Sequence, residues 1–228
     1  MGNNPGWLQR LWHTLRICRS AHMAATAIIV LAVVIGVLAT FDESQPMTSQ
    51  RHALFVLEMI VPLGVLAAFC HLLTIDHDSG FAEVLHSLPT SMCRITIERI
   101  IVATILISSF VAFIIELLHQ YAGLDRCLAW QAFALPALFL FGLTQTASVV
   151  GGNWITGLGA GSVYMLVDAL TNGQISGAFF LYQVSRGTGT VPLVTNRCML
   201  ASAGLGLLVL AVVCYSRQRR SNLGLQRR

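Results

Sequence analysis

The chain has 228 residues, of which 55% are apolar and 11% charged, and its mean hydropathy is +0.71. Soluble domains carry about twice that share of charge, so the composition indicates an integral membrane protein. The net charge of +4 includes no lysine, which excludes a GxxxxGK[ST] ATP-binding loop in this chain. The sequence has no basic stripe of the kind that indicates nucleic-acid binding. Its apolar runs are continuous and not alternating, which disfavours a β-barrel.

The first predicted element is an amphipathic helix within residues 1–20. Leu8, Leu11, Trp12 and Leu15 share one face of it at helical spacing. Tryptophan and arginine on such a helix suit the lipid headgroup layer, so we expect this segment to lie on the inner leaflet. A flexible tail is the alternative interpretation.

Six apolar runs of about 20 residues follow, the length that a helix needs to cross a bilayer. We expect an all-α polytopic fold with a transmembrane domain over residues 21–215 and a basic cytoplasmic tail over 216–228. The predicted spans are Ala21–Phe41, Ala53–Ile75, Ile95–Leu118, Gln131–Val150, Ile155–Thr171 and Cys198–Tyr215.

Arginines set the expected orientation. Four lie on one side of the predicted membrane, namely Arg51, Arg126, Arg186 and Arg197, and the other ten lie on the side of the termini. The positive-inside rule therefore places both termini in the cytoplasm of a multi-pass protein of the cell (plasma or inner) membrane.

The loop between the second and third predicted spans is unusually structured. Residues 76–79 supply acidic charge and N-capping side chains, and Pro89 ends the predicted helix Gly80–Leu88 about two turns later. A helix in a cytoplasmic turn suggests a partner on that side. Lying on the membrane surface is the alternative.

Two further features lie near the fifth span. Gly157 and Gly161 form a GxxxG pair that allows close helix contact, either within the chain or between two copies. After this span, Ile175–Val184 is apolar but too short to cross, which predicts a re-entrant or interfacial segment before the sixth span.

Polar side chains inside the spans are candidates for function. Thr144, Gln145 and Ser148 lie in the fourth span, where they either join helices or line a substrate path. Intramembrane carboxylates are costly and are functional candidates by default. The acidic residues of the spans are Glu58, Glu98, Glu116 and Asp168, of which Asp168 is equally suited to a structural and a path-lining role.

Other chemistry is weakly indicated. Asp76-His77-Asp78 matches no metal-ligand template, and its aspartates are accounted for by helix capping. No GxSxG nucleophile motif is present, which disfavours an intramembrane hydrolase. Cys127 and Cys198 both fall on the predicted outer face, where a disulfide persists, and we hypothesise that they pair.

The loop also carries a family resemblance. The residues that carry it are Asp78-Ser79-Gly80, Glu83-Val84-Leu85 and Ser87-Leu88-Pro89-Thr90-Ser91, followed by Arg94 and Arg99. Their sequence resembles the cytoplasmic turn of type-2 ATP-binding-cassette (ABC) exporter permeases. The resemblance covers about 20 residues and implies a coupling helix that docks into a groove on a separate ATPase. The residues it implies for docking are Gly80, Phe81, Glu83, Val84, Leu85, His86, Leu88 and Pro89.

The resemblance further implies a non-catalytic subunit with no cofactor of its own. ATP and Mg²⁺ would bind to two copies of the ATPase, and a second permease, identical or related, would complete the substrate path within the lipid membrane. Two alternatives stay open: a haem-linked exporter permease of cytochrome c maturation, and a non-transporting immunity or scaffold protein. The cargo is not identified by these residues.

Overall fold

The computed structural model describes residues 21–39, 46–73 and 92–226. Within these ranges the chain is helical and contains no strand. The elements are α1 (Ala21–Ala39), α2 (Pro46–Phe55), a π-helical turn (Val56–Ile60), α3 (Val61–Phe69), α4 (Met92–Ala122), α5 (Arg126–Gly151), α6 (Trp154–Thr171), a 3₁₀ turn (Gly177–Phe179), α7 (Gln183–Arg186) and α8 (Leu193–Gln226).

Four described helices are long and apolar enough to cross a membrane. They are Gln50–Phe69, which joins α2 to α3 through the π-helical turn, together with Thr96–Ala122, Arg126–Gly151 and Leu193–Arg217. Within the described residues the fold is therefore all-helical, and four of its helices have the length and hydropathy of membrane spans.

The other two predicted spans coincide with α1 and α6. The structure describes the side chains of α1 only over Thr26–Gly36, and this part of the helix is apolar. The helix α6 has 18 residues, but glycines, hydroxyls and Asp168 dilute its apolar content. Six spans thus remain a prediction.

Two predicted helices, the amphipathic one within residues 1–20 and the coupling helix Gly80–Leu88, lie outside the described residues. The predicted tail of residues 216–228 begins inside α8, which continues to Gln226.

Capping explains the tight hairpin between α5 and α6. Gly152 ends α5 in the left-handed conformation, with φ of 68°, and Asn153 caps α6 by accepting hydrogen bonds from the N–H groups of Ile155 at 2.6 Å and Thr156 at 3.3 Å. The two helices therefore run antiparallel. Gly157 faces the Ser148 side chain, and Gly161 faces Thr144 and Leu66, so the GxxxG pair makes contacts within the chain.

Glycines also set the contact between α5 and α8. A Cβ atom at Gly204 would lie 2.9 Å from backbone atoms of Leu138 and Phe139, and one at Gly142 would lie 2.5 Å from the carbonyl oxygen of Gly204. The two backbones touch at this point because neither residue has a side chain. The helix α5 thus lies at the centre of the bundle, with α6 and α8 packed against it.

Replacing these glycines tests the packing. Gly204→Ala forces α5 and α8 apart, and we expect it to lower the free energy of unfolding by about 1–3 kcal/mol. Gly206→Ala is the matched control on the same helix, because a Cβ there meets nothing within 4 Å. We expect this control to be neutral or stabilising by up to about 1 kcal/mol. Unfolding in mixed micelles measures both, and equal effects would contradict the contact.

Candidate functional site

The centre of the site is Glu58, which lies in the π-helical turn and is fully buried. The turn has a local cause in the sequence. Pro62 has no N–H to donate to the Glu58 carbonyl four residues earlier, and the N–H of Val61 donates to the carbonyl of Val56, five residues back. Such π-helical turns are common at functional sites.

Three donors converge on the Glu58 carboxylate. An Arg197 guanidinium nitrogen lies 3.0 Å from Oε1, the Val184 N–H donates to the same oxygen at 3.0 Å, and the Ser185 N–H donates to Oε2 at 2.9 Å. Arg197 is 5% exposed and also donates to the carbonyl of Leu181 at 3.4 Å. Glu58 is therefore both neutralised and hydrogen-bonded, as a buried charge has to be.

Asp168 on α6 is a second buried carboxylate, with 1% of its surface exposed. It accepts a hydrogen bond from the Leu181 N–H at 2.8 Å and another from the Ser176 hydroxyl. Both carboxylates thus bind residues 172–192, which connect α6 to α8 and are called the connecting segment below. This gives Asp168 a positioning role in the fold.

The middle of the connecting segment lies inside the bundle. Phe180, Leu181 and Tyr182 are at most 1% exposed. Asn196 on α8 donates to the carbonyls of Ala178 at 2.8 Å and Phe180 at 3.0 Å. These two carbonyls of the connecting segment are therefore paired by a side chain instead of by a regular helix or strand.

Two tyrosines complete these contacts. Tyr164 donates its hydroxyl to the carbonyl of Phe179 at 3.1 Å, and Tyr182 donates to that of Met165 at 3.2 Å. Burial raises the pKa of the Tyr182 phenol, so the group stays protonated and remains a donor. The connecting segment and α6 are joined by donors from both sides.

A second polar cluster lies on α5. Gln145 donates to the carbonyl of Phe69 at 2.7 Å, and Ser148 donates to that of Cys70 at 3.2 Å. The helix α3 ends at these residues, and the carbonyl of Phe69 also accepts a hydrogen bond from the Leu72 N–H at 3.0 Å. Thr144, also fully buried, lies beside Gly161 of α6. These three side chains, which together with Asp168 were predicted as possible path-lining residues, all lie at contacts between helices.

An apolar cleft of about 220 Å³ lies between α1, α3 and α4. Its walls are aliphatic and aromatic apart from one threonine. The lining residues are Thr26, Ala27, Val30, Val61, Gly64, Val65, Ala68, Phe69, Leu106, Ile107 and Phe110.

Two chemical predictions concern a disulfide and a metal site. Cys127 and Cys198 are free, exposed thiols, so the structure does not join the hypothesised pair. Among the described residues, no three His, Cys, Asp or Glu side chains lie together as metal ligands. The Asp76-His77-Asp78 motif lies outside those residues.

Sequence reasoning identified both carboxylates but missed their partners. Arg197 served only as a topology signal, and Asn196 and Tyr182 were not noticed. One signal was present: an intramembrane acid requires a basic partner, and Arg197 stands at the edge of the last apolar run. The pairing itself spans 139 residues and needs the fold.

Removing the basic partner tests the site. Arg197→Met leaves Glu58 buried without its counter-charge, and we expect the free energy of unfolding to fall by about 3–5 kcal/mol. Arg126→Met is the control, because it breaks the exposed pair of Arg126 and Glu116, 2.8 Å apart, and such pairs contribute little. Unfolding in mixed micelles measures both. Equal stability of the two variants would show that the buried pair contributes little.

Comparisons with family models, curated proteins and solved structures find no match to this chain. Similarity therefore assigns the chain to no family. The resemblance of residues 78–99 rests on those residues alone, and a function has to be inferred from them and from the geometry of the bundle.

Proposed function

We propose that the chain is the membrane-spanning subunit of an ABC transporter, an exporter, and that a separate cytoplasmic ATPase drives it. The observation that carries the proposal is the sequence of residues 78–91, in which Gly80, Glu83-Val84-Leu85 and Leu88-Pro89 follow the pattern of a coupling helix. Four helices able to cross a membrane, in an all-helical bundle, support it.

The absence of lysine supports a separate motor. A P-loop needs lysine to contact the phosphates, so ATP and Mg²⁺ would bind the partner ATPase. Two ATPase copies would act on two permease subunits, identical or related, in the cell membrane. The arginine distribution supports cytoplasmic termini, which places residues 78–91 on the ATPase side.

The geometry around α3 supports a mechanical role for the loop. The helix ends at Phe69 and α4 begins at Met92, so residues 74–91 lie between the ends of two long helices. Gln145 and Ser148 bind the last carbonyls of α3 to α5. A force on the loop would therefore be transmitted through α3 to α5 at the centre of the bundle.

In this proposal the polar residues of α5 transmit movement, and the apolar cleft is the better candidate for contact with cargo. The cleft lies between helices at membrane depth and has almost no polar lining. This favours a cargo with a substantial apolar part, such as a lipid-like or drug-like molecule, over an ion.

Two arginine substitutions in the loop test the proposal. The chain is co-expressed with an ATPase encoded beside it, and we expect a complex that co-purifies and hydrolyses ATP. Glu83→Arg and Leu85→Arg should abolish co-purification, because each places an arginine in the predicted docking face.

Leu225→Arg, in the predicted cytoplasmic tail, is the control and should leave the complex intact. Assembly that survives both loop substitutions would contradict the coupling role. Failure of any adjacent ATPase to bind the unaltered chain would favour a non-transporting membrane protein.

A further inference from the structure

The connecting segment has backbone features of a hinged element at both ends. Asn172 and Gly173, where it leaves α6, have φ of 51° and 77°, and Gly187, where α7 ends, has φ of 64°. Asn and Gly adopt such positive φ values more readily than other residues do. Between these points lie the buried residues Phe180 to Tyr182 and the helix α7.

The apolar packing of Phe180, Leu181 and Tyr182 and the polar contacts of two carboxylates together hold this segment. Glu58 binds the N–H groups of Val184 and Ser185, while Asp168 binds that of Leu181. The ion pair of Glu58 with Arg197 loses hydration on burial, which offsets much of its attraction. Within the described residues, the buried Nε of Arg197 has no hydrogen-bond partner, so the network is incompletely satisfied.

The π-helical turn supplies a means of moving Glu58. A π-helical turn holds one more residue than an α-helical turn, and this insertion can move along a helix. Each residue that the insertion moves past rotates by about 100° around the helix axis. Pro62 fixes the turn on its C-terminal side, so a shift runs towards Phe55. Such a shift turns the Glu58 carboxylate away from Arg197 and from α7.

We propose that Glu58 and Arg197 form a latch that holds residues 180–186 inside the bundle, and that this segment leaves the bundle as a unit when the latch opens. The inference stands on these contacts alone and does not depend on the transport proposal. An open latch exposes the interior between α3, α5, α6 and α8, where Leu181 and Tyr182 now pack.

Hydrogen–deuterium exchange of the full chain in lipid nanodiscs tests the latch. In the unaltered protein, we expect the amides of residues 180–186 to exchange together and faster than those of residues 133–149 in α5. This is the signature of local opening below the free energy of global unfolding. Exchange of residues 180–186 as slow as that of α5 would overturn the proposal.

A variant then assigns the opening to Glu58. In Glu58→Gln the two N–H groups lose their charged acceptor and Arg197 loses its counter-charge, so exchange of residues 180–186 should accelerate on the order of 100-fold. Exchange in α5 should not change. Glu116→Gln, which removes a carboxylate from the exposed pair with Arg126, is the control and should leave residues 180–186 unaffected.

Two results of the variant would overturn the proposal. If every peptide of Glu58→Gln exchanges faster by the same factor, then Glu58 stabilises the whole fold and is no latch. If residues 180–186 keep the rate of the unaltered protein, then Glu58 does not hold them.

Discussion

The rest of the structure depends on burying two carboxylates, Glu58 and Asp168, inside an apolar bundle. Neither is tolerable there without donors, and both find them mainly in the connecting segment and on Arg197. The need for donors draws residues 180–185 between the helices and fixes the start of α8 against the middle of the α2–α3 helix. One electrostatic requirement thus links elements that are far apart in sequence.

The two polar clusters lie towards opposite ends of the bundle. Gln145 and Ser148 bind the end of α3 next to residues 74–91, whereas the connecting segment begins after α6, an 18-residue helix about 27 Å long. The α2–α3 helix carries one contact of each cluster: Phe69 near its end and Glu58 in its middle. A displacement of this helix would therefore act on both clusters, which gives a physical basis for communication between the two ends of the bundle.

Periodicity and composition predicted what depends on local sequence. The apolar runs around residues 50–69, 96–122, 126–151 and 193–217 were recognisable because a spanning helix needs only length and hydropathy. Hydropathy is a weaker signal in α6, because its glycines pack on α5 and its Asp168 binds the connecting segment. The pairing of Glu58 with Arg197 was not predictable, because it joins residues that lie 139 positions apart in the chain.

A double-mutant cycle on Glu58→Gln and Arg197→Gln tests the central claim most directly. The unfolding free energies of the two single variants, the double variant and the unaltered chain give the coupling between the side chains. The account predicts that the double variant loses less stability than the two single variants summed, by at least about 1.5 kcal/mol, since removing both charges leaves neither uncompensated. Strict additivity would contradict it, because the two side chains would then act independently.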